Sequence, residues 1–304
     1  MSSPTVPKRA KAVVYSNPGT TATEVIDVDV PEPQAGEVLV RIQFSGVCHT
    51  DYSLATNSLG HMPVKTPAGQ IGGHEGVGTV VKLGPGVTAR QLGDVVGIKW
   101  IASACLSCEN CLYGYESRCA KRKVSGFGNA GTFQQYVATD ALYATPIPEG
   151  LDGARVAPLL CAGVTVYVGL QRADLQAGQW VAISGAGGGL GSLTIQYAKT
   201  MGFQVLAIDQ TAKEDFCTKL GADRFLDFTK FDDEGLIKEV KSITDGGAHA
   251  VLVINSAEKA YNQSLDLVRY GGTLMCVGLP EGSAQPIQGA IPSNLIMNRL
   301  TIKG

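Results

Sequence analysis

The chain has 304 residues, 44% hydrophobic and 17% charged, and its 25 basic side chains against 27 acidic ones give a formal net charge of −2. The length points to two domains and the composition to a sizeable buried core rather than disorder. The slightly acidic balance argues against a nucleic-acid partner, which needs a basic stripe or patch.

No stretch reaches the roughly 18–20 apolar residues of a membrane span, so no membrane role is expected. The N-terminus has no apolar run of the secretory kind. Residue 2 is Ser2, which excludes myristoylation, and residues 301–304 (TIKG) form no prenylation box. A reducing cytoplasm is the expected location, and there clustered cysteines are metal ligands or reactive thiols more often than disulfides.

The first half reads as short strands and turns. Residues 12–15, 37–44 and 76–83 are β-rich, punctuated by Pro31 and Pro33, by Gly72 and Gly73, and by Gly84, Pro85 and Gly86. Residues 103–119 read as a loop carrying Cys105, Cys108, Cys111 and Cys119, spaced C-x2-C-x2-C-x7-C. Four thiolates in one short segment suit a closed, tetrahedral structural zinc site. Redox thiols or a nucleic-acid-binding zinc module fit less well, because Lys121, Arg122 and Lys123 are the only nearby basic cluster.

Cys48, His74, Glu75 and Cys161 are dispersed through the same half. Two cysteines and one histidine form the ligand set of a catalytic zinc that keeps a fourth position open. Each also has a plainer reading: Cys161 beside Leu159 and Leu160 as core, and His74 as a structural histidine.

The texture changes near residue 155. Strands are expected at 179–184, 204–209, 224–228, 250–254 and 273–277, and helices at 192–201, 215–220, 234–243 and 258–269. This alternation implies right-handed βαβ units and a parallel sheet covered on both faces.

Residues 185–191 (GAGGGLG) lie between the first of these strands and the first helix. A glycine turn there lets backbone N–H groups meet a pyrophosphate at the helix N-terminus. Gly188 and Gly191 fit the last two glycines of G-x-G-x-x-G, but the first falls on Ala186 unless Gly185 takes it with one extra residue. Asp209 ends the next strand, where a carboxylate bonds a ribose hydroxyl and repels a 2′-phosphate, favouring NAD over NADP. An ordinary strand-end turn is the alternative for Asp209.

The stretches 46–51 (GVCHTD), 72–76 (GGHEG), the four-cysteine loop, 131–136 (GTFQQY), 160–167 (LCAGVTVY) and 181–192 (VAISGAGGGLGS) resemble the zinc-dependent medium-chain alcohol dehydrogenases, most closely the yeast or fungal type. The resemblance runs from about residue 10 to the end. It implies an α/β chain with a GroES-like, β-rich catalytic domain over 1–155 and a Rossmann doubly wound cofactor domain over 156–304, whose last strand and C-terminal return segment are missing.

It also implies two zinc ions per chain. The catalytic ion falls to Cys48, His74 and Cys161 with Glu75 close by, and the structural ion to the four clustered cysteines. Thr50 would bond the substrate oxygen, and Asp51 would orient His74. Trp100 would narrow the alcohol pocket. His49, Gly185, Gly187, Gly188, Gly189, Leu190, Gly191, Asp209, Lys213 and Val277 would contact NAD. The implied reaction is reversible hydride transfer between an alcohol and NAD, giving an aldehyde or ketone. A homo-oligomer, dimer or tetramer, is implied as well.

Three departures stand out. Ser53 occupies the position of the family's proton-relay histidine, and serine is no base near neutral pH, which leaves His61 as a candidate substitute. Residues 57–70 are longer than in the yeast type and lack its pocket-narrowing tryptophan, so larger alcohols are expected to fit. The end at Gly304 suggests a truncated chain, and a catalytically impaired relative that keeps zinc and NAD binding is the alternative reading. A zinc-free reductase of the same superfamily is disfavoured by Cys48, His74 and Cys161 together.

Overall fold

The computed structural model describes residues 5–60, 64–282 and 285–304. The chain divides into two compact units, the first running on past the expected limit at 155 to Cys161, the second comprising Leu59, Gly60 and Ala162–Gly304. The segment 156–161 stays with the first unit because Val156 and Ala157 pack on Val77, with Ile147 and Leu160 against them.

In chain order the first unit comprises β1 (Arg9–Pro18), β2 (Thr21–Asp29), β3 (Glu37–Ser45), α1 (His49–Thr56), β4 (Gln70–Ile71), β5 (Gly76–Leu83), β6 (Val95–Ile98), β7 (Ile101–Ser103), α2 (Glu109–Leu112), β8 (Lys123–Ser125), β9 (Gly128–Asn129), β10 (Tyr136–Asp140), β11 (Thr145–Pro146) and α3 (Gly153–Val156). Its main sheet is antiparallel, in the order β10-β3-β5-β6-β11. Val38 and Val40 from β3, Val80 from β5, Val96 and Ile98 from β6 and Val137 from β10 form its core. β1 is the centre of a smaller sheet, flanked by β2 and β4.

The cysteine segment is more regular than the loop expected from sequence. It holds the one-turn helix α2 and a 3-10 turn at Glu116–Arg118. Leu106 takes the left-handed conformation, with φ of 54°, and so does Gly114, with φ of 77°. These reversals fold the segment back on itself.

The second unit comprises α4 (Ala162–Arg172), β12 (Trp180–Ser184), α5 (Gly189–Thr200), β13 (Gln204–Asp209), α6 (Glu214–Lys219), β14 (Arg224–Asp227), α7 (Asp233–Ile243), β15 (Ala248–Val253), α8 (Glu258–Leu267), β16 (Val268–Cys276), α9 (Pro292–Asn298) and β17 (Thr301–Lys303). Six strands form a parallel sheet in the order β14-β13-β12-β15-β16-β17, the doubly wound arrangement. Strand residues alternate between two cores. Val181, Ile183, Val205, Ala207, Ala250 and Leu252 face one, and Ala182, Leu206, Ile208, Val251 and Val253 face the other. Burial on both faces explains why these strands read as continuous apolar runs.

The final strand, expected to be missing, is present as β17. Thr301, Ile302 and Lys303 pair in parallel with Thr273, Leu274 and Met275 of β16. α8 ends at Leu267, two residues before the expected limit, because Val268 already belongs to β16. Among the described residues, no single helix is long and apolar enough to cross a membrane.

Candidate active site and cysteine lobe

Cys48 sits at the N-cap of α1, in the turn that leaves β3. His74 and Glu75 immediately precede β5, and Cys161 follows the 3-10 turn Ala157–Leu160. Their four ligand atoms lie within 4.8 Å of one another. His74 and Glu75 are 1% and 2% exposed.

The local sequence shapes this convergence. Asp51 closes the first turn of α1 by accepting the Cys48 N–H on Oδ2 at 2.8 Å. Its Oδ1 accepts the Gly73 N–H at 3.1 Å and lies 3.3 Å from His74 Nδ1. One buried carboxylate therefore fixes the backbone of the first cysteine and the ring of the histidine. Gly73 has φ of 92°, and a Cβ there would meet Thr132 and Phe133 at 2.6 Å. Only glycine gives the chain this turn into His74.

The Cys48 and Cys161 sulfurs are 3.8 Å apart. A disulfide needs about 2.05 Å, whereas two sulfurs of a tetrahedral zinc site, each about 2.3 Å from the ion, stand about 3.8 Å apart. The hydrogen bond from the Cys161 thiol is the main reason the Cys48 pKa is pushed down to about 4, with further help from His74 and Thr50 and against the effect of burial. The same bond, and then burial, drive Cys161 upward. Burial opposes charge on His74, but Asp51 and Cys48 outweigh it and raise its pKa to about 10. Thiolate, carboxylates and imidazole are thus gathered in a buried place and share protons where a dication would serve. The donor set of two sulfurs, one imidazole and a carboxylate fits zinc.

Around these groups, Trp100 meets the His74 ring edge to face at 5.2 Å. Thr50 is partly buried in the first turn of α1, and His49 is exposed there with its ring 5.3 Å from Tyr52. Ser53 is 2% exposed on the inner face of the same helix. His61 lies outside the described residues. Sequence reasoning passed over Tyr15, a buried tyrosine of β1 whose hydroxyl lies against Gly72. A single aromatic residue in an alternating strand carries no signal of such a place.

Cys105, Cys108, Cys111 and Cys119 also converge, with ligand atoms within 4.8 Å. Sγ separations are 3.5 Å for Cys108–Cys111, 3.6 Å for Cys105–Cys119 and 3.9 Å for Cys105–Cys111. None is a disulfide, and all are near the edge of a tetrahedral ZnS4 site, about 3.8 Å. Hydrogen bonds from Ser107, then from Cys108, hold the Cys105 pKa down to about 5. Burial, followed by Cys108 and Cys119, pushes Cys111 up to about 12. The lobe therefore holds thiols and thiolates together, as a metal-binding cluster does.

In the second unit, Gly185 takes the first glycine role, with φ of 90°, while Ala186 is fully buried. Gly188 is the N-cap of α5, and Gly189 and Leu190 begin the helix. A Cβ on Gly191 would lie 2.1 Å from the Ala186 carbonyl oxygen, so the helix packs against the strand end only with glycine here. A Cβ on Gly187 would lie 2.6 Å from the Lys213 side chain. Asp209, at the end of β13, accepts the Gly187 N–H on Oδ2 at 2.8 Å and the Gln210 N–H on Oδ1 at 2.8 Å. The structure thus joins Asp209, Lys213 and the glycine turn. Val277, just past β16, lies near Gly169 of α4.

Residues 34–149 match the family described as the alcohol dehydrogenase GroES-like domain, and residues 189–304 match the zinc-binding dehydrogenase family. Alcohol dehydrogenase 2 of Emericella nidulans is 50% identical over 313 residues, covering 100% of this chain and 85% of that one. Acetophenone reductase from Geotrichum candidum, solved with NAD, superposes with a TM-score of 0.80 at 27% identity, over 98% of this chain and 83% of that one. A putative zinc-binding dehydrogenase from Sinorhizobium meliloti, bound to NADP, gives a TM-score of 0.83 at 26% identity, over 98% and 84%.

Proposed function

Since the chain belongs to the zinc-dependent medium-chain alcohol dehydrogenases of the fungal type, and so oxidises alcohols reversibly with zinc and a nicotinamide cofactor, we propose a finer assignment: two zinc ions per chain, and NAD as the cofactor. Cys48, His74 and Cys161 hold the catalytic ion with Glu75 beside it. Cys105, Cys108, Cys111 and Cys119 hold the structural one. The observation that carries this reading is the buried convergence of two sulfurs, an imidazole and a carboxylate within 4.8 Å.

Zinc bound there supplies Lewis acidity that lowers the pKa of an alcohol hydroxyl. Asp51 holds His74 by its Nδ1 side and leaves Nε2 for the metal. Thr50 accepts the hydrogen bond of the substrate hydroxyl and fixes the carbon that gives up hydride. Ser53, buried on α1, is no base near neutral pH, so the proton released from the alcohol would pass on to solvent water. Asp209 supports NAD because a 2′-phosphate beside its carboxylate meets a like charge.

The preference extends to alcohols larger than ethanol, since residues 57–70 carry no tryptophan. The resemblance further supports a homo-oligomer, and the free cysteines fit a reducing, cytoplasmic location. Metal analysis of the purified protein, with oxidation of ethanol and benzyl alcohol measured with NAD and with NADP, tests all of this except location and assembly. Two zincs per chain, with NAD-dependent turnover of both alcohols, is the expected result. One zinc, or equal use of NADP, would contradict the assignment.

A further inference from the structure

Asp51 is the pivot of the metal site, and its surroundings are unevenly filled. One oxygen takes the Cys48 N–H, and the other takes the Gly73 N–H and faces His74 Nδ1. An ionised carboxylate has about four acceptor positions. A further donor stands close by. Tyr15 is 3% exposed, and its hydroxyl is enclosed with no hydrogen-bond partner among the described residues of this structure. A buried phenol O–H in that condition loses free energy unless it finds an acceptor.

The backbone holds Tyr15 in place from both sides. It pairs with Gln70 of β4, and its carbonyl accepts the Gly69 N–H at 2.9 Å. Its ring then runs along the segment that leads into His74. A Cβ on Gly72 would lie 2.2 Å from the Tyr15 oxygen and 2.5 Å from Cζ. Gly72 thus makes room for the hydroxyl one residue before Gly73, whose N–H is bound by Asp51. Burial, and then the Asp51 charge, push the Tyr15 pKa well above the usual tyrosine range. The phenol stays protonated at working pH and can only donate toward a carboxylate.

We propose that Tyr15 is a positioning residue of the catalytic-zinc site: its hydroxyl donates to Asp51 and holds that carboxylate in the orientation that fixes His74. This rests on the zinc site assigned above. The hydroxyl acts two links from the metal, through Asp51 and then His74. Outer partners of this kind change metal affinity or activity by about 10–100-fold when removed.

The test is a double-mutant cycle on the zinc-loaded full chain, using wild type, Tyr15→Phe, Asp51→Asn and the double variant. The readouts are zinc per chain, the rate of zinc loss to a chelator, and kcat and KM for alcohol and NAD. Tyr15→Phe keeps the ring and is expected to melt with the wild type and keep its structural zinc. It should release the second zinc about tenfold faster and lower kcat with KM for NAD unchanged. In the Asp51→Asn background the same substitution should have little further effect. Additive losses, or a Tyr15→Phe protein that releases zinc at the wild-type rate, would overturn the proposal while the zinc assignment stands. A wild-type protein holding only the structural zinc would overturn the assignment, and the proposal with it.

Discussion

Gly46 and Glu75 are fitted to one another. The Gly46 N–H donates to the Glu75 carbonyl at 3.0 Å, and a Cβ on Gly46 would lie 2.0 Å from Glu75 Oε2. The buried carboxylate beside the proposed metal ligands therefore occupies space that any other residue at 46 would take. Gly46→Ala should displace Glu75 and loosen the site. The expected outcome is one zinc per chain instead of two and at least a tenfold loss of kcat/KM, measured by metal analysis and steady-state kinetics on one preparation.

The cysteine lobe should contribute stability without touching substrate. Cys119 is fully buried, and its sulfur lies 3.6 Å from that of Cys105. Cys119→Ser should remove the structural zinc, leave the catalytic one, and lower the melting midpoint by about 5–10 °C. Calorimetry with zinc counting checks it. A midpoint equal to that of the wild type would mean that the lobe folds without its metal.

Asp209 joins two jobs in one carboxylate. It anchors Gly187 of the glycine turn, and it repels a 2′-phosphate in the proposed NAD site. Asp209→Gly should lower kcat/KM for NAD by at least about tenfold, since a charge-assisted hydrogen bond is worth about 1.5–3 kcal/mol. Turnover with NADP should become measurable at the same time. Steady-state assays with both cofactors decide between this and a purely structural role, in which both would fall together.

His249 gives the second unit a pH dependence of its own. Nδ1 accepts the Trp180 N–H at 3.1 Å, and the Arg269 guanidinium lies 2.8 Å from Nε2. Burial, and then Arg269, lower its pKa from the ordinary 6.5. The unfolded chain therefore binds this proton more readily than the folded one, so the contribution to stability is present above about pH 6.5 and is lost as pH falls below it. Urea unfolding between pH 7.5 and 5.5 should show a steeper loss of stability in the wild type than in His249→Gln. Parallel curves would mean that the histidine keeps its ordinary pKa.

Much of this architecture is legible in the chain because burial on both faces leaves apolar runs between turn signals. The limits of β5 and β13 follow directly from the sequence for that reason. α4 is harder to see. Its stretch 162–170 is rich in β-branched residues and glycine, and its helical character shows only in the spacing of buried Val166, Gly169 and Leu170. β2 leaves almost no trace because none of its residues is buried. In the site, cysteine and histidine types betray the converging side chains, since few other roles gather them. Tyr15 and Gly46 escape, because their importance lies in what they abut across strands far apart in sequence, which no local pattern encodes.

The two sulfurs 3.8 Å apart at Cys48 and Cys161 are separated by 113 positions in the chain. An ion gripping both closes a long loop, as a covalent staple would. By the chain-entropy relation used for disulfides, a closure of that length costs the unfolded ensemble about 5 kcal/mol of freedom. In the proposed site, the group that polarises the alcohol would thus also be a clasp on the topology of the first unit. Starving the protein of zinc should slacken the polypeptide as well as silence it, and resistance to proteases should rise and fall with the free concentration of the metal.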